Sequence, residues 1–129
     1  MGTEAIFNDV KRHEEESLVI FLGPELRERT TQITDLFVTN TEYVTAPTNE
    51  DCLRRISEAS ERLCTVVCKI EPEVQPDMLQ NPISKISAAC HMRDLPLPSF
   101  IACLEESHAD LLRFVVRLRP QDVLLLPCA

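Results

Sequence analysis

Proline sets the frame within which this chain can fold. Nine prolines stand at positions 24, 47, 72, 76, 82, 96, 98, 120 and 127, with long Pro-free stretches between them. The proline ring locks φ and removes a backbone donor, so it is tolerated in a helix's first turn and breaks its interior. The stretches 1–23, 25–46, 48–71, 83–95 and 99–119 are therefore read as slots for helices. Glycine points the same way. It occurs only as Gly2 and Gly23, too few to supply the φ > 0 turns of hairpin-rich barrels and sandwiches, or a glycine-rich phosphate loop.

Within the slots, caps and periodicity predict helices. Thr3 is a plausible N-cap ahead of Ile6, Phe7 and Val10, and the apolar run Leu18 to Leu22 follows. Pro24 fits the first position of a second helix reaching about Val38, and the polar, β-branched stretch 39–48 around Tyr43 reads as a loop. Thr48 with Asp51 approximates a capping box, and Leu53, Ile56, Leu63, Val67 and Ile70 then recur at helical spacing. Asn81-Pro82 opens a helix to Met92, and Phe100, Cys103, Leu104, Leu111, Val115 and Leu118 form the stripe of a last one, stopped at Pro120. The apolar Val123–Leu126 must be buried against the rest of the chain or a partner. The expectation is one domain over 1–129, an all-α antiparallel bundle of about five main helices. It comprises a helical hairpin over 3–38, the loop over 39–48, and helices over 49–70, 82–92 and 99–119.

Charge and cysteine usage narrow the function classes. A net charge of −8 and a pI near 4.8 disfavour a nucleic-acid binder, whose affinity rests on Lys and Arg at phosphates. No segment approaches the roughly 18 apolar residues of a membrane span. Met1-Gly2-Thr3-Glu4 lacks a basic n-region, so the chain is expected to be soluble and intracellular, cytoplasmic or nuclear. The six cysteines are expected to be reduced and structural. A zinc-stabilised domain is the alternative, with Cys64 and Cys68 at i, i+4 joined by Cys90 and His91. It lacks a CxxC knuckle, and neighbours on one helix diverge by about 100°, so no metal and no cofactor are expected. Ser107-His108-Ala109-Asp110 carries triad residue types, but side chains adjacent on one element do not converge. With no HExxH, EF-hand or glycine-rich loop, the chain is not expected to be an enzyme.

What remains is a protein-interaction module, an adaptor or scaffold that takes a partner helix or an acidic peptide. The candidate partner-binding residues are Phe100, Leu104, Leu111 and Val115 as an apolar floor, with Arg113 and Arg117 as a charged rim. A homodimer is a further expectation for the apolar stripes. From Met78-Leu79-Gln80-Asn81-Pro82 to Leu112, through Phe100–Glu105 and Ala109–Leu112, the chain resembles the last three helices of caspase-recruitment and death-effector domains. That resemblance implies a six-helix bundle assembling by homotypic contacts. The two long helices expected in the first half depart from the short early helices of that fold.

Overall fold

The computed structural model describes residues 17–30, 41–59, 62–71 and 81–126. It is an α/β fold built on five parallel strands, not a helical bundle. The strands are β1 (Ser17–Leu22), β2 (Thr41–Ala46), β3 (Leu63–Lys69), β4 (Ser99–Glu105) and β5 (Asp122–Leu126). The helices are α1 (Pro24–Arg29), α2 (Asn49–Glu58), α3 (Pro82–Met92) and α4 (Leu112–Val115), the last flanked by 3₁₀ turns Glu106–Leu111 and Val116–Leu118. Every strand pair is parallel, in the order β2-β1-β3-β4-β5.

That order dictates which helix covers which face. The chain steps from β1 out to β2, then crosses back over β1 to β3 and continues to β5. Right-handed crossovers then put α1 on one face and the later helices on the other. The packing agrees. Leu26 of α1 lies with Val19, Phe21, Val67, Ile101 and Cys103. On the opposite face Leu53 and Ile56 of α2, Ile83 and Ile86 of α3, and Leu111 and Val115 pack on Leu18, Ile20, Val66, Phe100 and Leu104.

The expected bundle fails for a physical reason visible in this alternation. Strands covered on both faces read as continuous apolar runs, without the period of two that marks a half-exposed strand. Leu18-Val19-Ile20-Phe21 is such a run, buried throughout, and it occupies part of the expected 3–38 hairpin. The remainder of that hairpin, 3–16 and 31–38, lies outside the described residues. The expected loop over 39–48 holds β2, which pairs with β1 in full register from Ser17↔Thr41 to Leu22↔Ala46. The expected helix over 49–70 stops at Glu58, and the β-branched Thr65-Val66-Val67 belong to β3. The expected helix over 99–119 begins as β4 and turns helical only after Glu105, whose backbone is still extended. The six-helix fold implied by the death-domain resemblance falls with it.

Two caps match their sequence signals. Thr48 Oγ1 accepts from the Asp51 amide at 3.1 Å and donates to the Asp51 carboxylate at 2.9 Å, starting α2. The buried Asn81 accepts from the Ser84 amide at 2.8 Å with Pro82 at the first turn, and α3 spans the stretch expected for it.

Candidate functional site

In an open parallel sheet, ligands sit beyond the carboxyl ends of the strands where the strand order reverses, because loops leaving in opposite directions open a crevice there. In this sheet the reversal lies between β1 and β3. Gly23 follows β1 with φ +112°, and its amide donates to the Ala46 carbonyl at 2.9 Å, tying the ends of β1 and β2 together. The turn feeds α1, whose last residue Arg29 reaches the ends of β3 and β4.

There Arg29 holds the Glu105 carboxylate with both terminal nitrogens, the Nη2–Oε2 arm at 3.0 Å. Lys69 Nζ donates to the same carboxylate at 3.0 Å and stands 3.5 Å from Glu71. The Arg29 guanidinium, and then the Lys69 ammonium, hold the Glu105 carboxyl down at about 2. Glu105 in turn raises Lys69 and Arg29. A cavity of about 230 Å³ opens beside this network, lined by Leu22, Glu25, Leu26, Arg29, Lys69 and Glu71. None of these lining residues offers a thiol, hydroxyl or imidazole. What the described residues form here is an ion-pair network that clamps α1 to the ends of β3 and β4.

The network makes stability acid-sensitive in one direction. A carboxyl depressed on folding stabilises above its ordinary value near 4.5, and that contribution is lost as pH falls from there through about 2. Glu105→Gln should therefore lower the melting temperature at neutral pH and flatten its fall between pH 5 and 2. Parallel wild-type and variant curves in a pH series of thermal melts would show that the network contributes nothing.

A second cavity, of about 280 Å³, opens at the opposite, amino ends of the strands, beside Arg62, Cys64, Pro96 and Leu97. Burial raises the Cys64 thiol, and it raises Cys52 and Cys103 to about 12 and Cys68 and Cys90 upward as well. Such thiols stay protonated near neutral pH and pack as small apolar groups. Cys64 and Cys68 share a face of β3 rather than of a helix, Cys90 is buried on α3, and His91 is exposed. Among the described residues no group of three or more His, Cys, Asp or Glu is arranged to hold a metal ion. Nor is any described helix long and apolar enough to cross a membrane.

The six candidate partner-binding residues separate into two groups. Phe100 and Leu104 lie on β4 and are buried, as are Leu111 and Val115 on the inner side of the helical segment that follows. These four are core, so they form no groove floor. Arg113 and Arg117 are exposed, one helical turn apart. With Asp110 and the half-buried Phe114 they border a shallow recess of about 560 Å³. Sequence reasoning missed Arg29, Lys69 and Glu105. The available signal was a charged residue closing each apolar run, Lys69 after Val66-Val67-Cys68 and Glu105 after Leu104.

Compared with known proteins, the chain matches no family model, no curated protein and no solved structure.

Proposed function

We propose that this domain is a non-enzymatic protein-interaction module that takes an acidic helix or peptide of a partner protein on the outer face of residues 110–119. The supporting observation is a charge pattern. Arg29, Arg54, Arg62, Lys69 and Arg93 are each ion-paired. Three exposed cations, Arg113, Arg117 and Arg119, cluster in one short segment with no carboxylate in ion-pair range among the described residues, whereas the other exposed cations without such a partner, Arg27, Arg55 and Lys85, stand singly on α1, α2 and α3. In a chain of net charge −8, a group of cations left without internal partners is suited to a foreign anion. Arg113 and Arg117 match carboxylates that are themselves spaced one turn apart, and each guanidinium presents a planar fork to a carboxylate. Phe114 supplies apolar contact in the recess between them.

The test uses a synthetic helical peptide bearing Glu at i, i+4. Binding is expected to weaken with added salt, and Arg113→Glu should weaken it by at least about tenfold. Circular dichroism and the melting temperature should stay unchanged, because the side chain is exposed. Equal binding by wild type and Arg113→Glu would remove this face as the docking site.

A further inference from the structure

The edge of the sheet carries a second, independent inference. Among the described residues β5 pairs with β4 alone, so its outer edge presents unpaired backbone groups. Edges of this kind are usually blunted by charge, but the central residues here are Val123-Leu124-Leu125. Val123 and Leu124 are half-buried and Leu125 is 45% exposed. The opposite edge differs, since β2 carries Glu42 in an ion pair with Arg62.

The helical segment before β5 widens the apolar strip. Its inward residues are Leu111 and Val115. In a right-handed crossover whose helix runs back against the strands, the residue after each inward position turns toward the later strand. Those residues are Leu112, 39% exposed, and Val116, 53% exposed. With Val123 and Leu125, which share the sheet face covered by this segment, they make an uncharged border along β5.

We infer that a second copy of this chain covers this border, with β5 pairing antiparallel to its twin across a twofold axis and joining two five-stranded sheets into one. The strand is self-complementary in that arrangement. Centred on Leu124, it sets Val123 opposite the copy's Leu125 and keeps the two Asp122 carboxylates at opposite ends. It also brings the carboxyl end of one sheet beside the amino end of the other. The exposed Glu106 then approaches the exposed Arg119 of the copy. Asp122 of the copy comes to the same end, opposite Leu126 and alongside Glu105, whose carboxylate Arg29 and Lys69 already hold, and apolar side chains meet between the two ends.

Light scattering behind size exclusion, on the full chain over a hundredfold concentration range, tests the inference. The expected mass is twice 14.7 kDa at the upper end. Leu125→Glu should raise the dissociation constant of the dimer by at least about tenfold, because an unpaired carboxylate would be buried against Val123 of the copy. Should Leu125→Glu lose its circular dichroism signal, the exposed pair Leu112→Lys and Val116→Lys replaces it. Arg113→Glu should leave the dimer intact, which separates this interface from the acidic-peptide site. A constant 14.7 kDa overturns the inference. A dimer indifferent to both sets of border substitutions in folded protein does so too.

Discussion

Leu104→Ala should destabilise the domain by about 2–5 kcal/mol, the cost of a large-to-small change at a buried site. Leu104 is fully buried near the carboxyl end of β4, on the face covered by α3 and the segment that follows β4. Truncation leaves a void that neighbouring strands on both sides, β3 and β5, keep from collapsing. A domain of this size has only about 5–15 kcal/mol to lose, so the midpoint of urea unfolding should fall steeply. The variant also separates two readings of the residue. A groove-floor leucine would lose partner affinity at nearly unchanged stability, whereas a core leucine loses stability first. An unfolding midpoint within error of wild type would contradict the packing described here.

Gly23→Ala should cost about 1–3 kcal/mol although nothing obstructs the added methyl. A Cβ built at Gly23 meets no heavy atom within 4 Å, so sterics with the rest of the fold are not the issue. The cost lies in the backbone, because φ +112° with ψ 139° is a conformation that side-chain-bearing residues rarely adopt. Straightening it would pull the Gly23 amide from the Ala46 carbonyl and misdirect α1, and with it Arg29. Chemical denaturation should show the loss. Unchanged stability would mean that the turn relaxes to a negative φ at no cost.

Asn81-Pro82 and Thr48 with Asp51 announced helix starts correctly, because capping is local chemistry that survives any tertiary context. Tertiary context decided the apolar runs instead. Pro-free stretches read as helix slots, yet proline is excluded from central strands for the same missing donor. Glycine scarcity did disfavour hairpins, but parallel strands are joined by helices and need few φ > 0 turns. Leu104 and Leu111 lie on one sheet face for different reasons, the first by strand alternation and the second by helical period, and the sequence stripe does not distinguish these. Of the six candidate surface residues, only Arg113 and Arg117 stand exposed, because charged side chains keep to solvent whichever element carries them.

The position of β1 has a consequence for how the molecule comes together. The first described strand in the chain stands inside the sheet, and Ser17 must meet both Thr41 and Leu63 before the centre exists. No adjacent pair of strands can close as a local hairpin, so each pairing waits for a long intervening segment to be ordered, and folding should be slow for a chain of this length. During synthesis this interior strand emerges before either of its neighbours and stays half-partnered until β3 follows. The β4 edge remains open until the last described residues, Asp122–Leu126, have left the ribosome and docked.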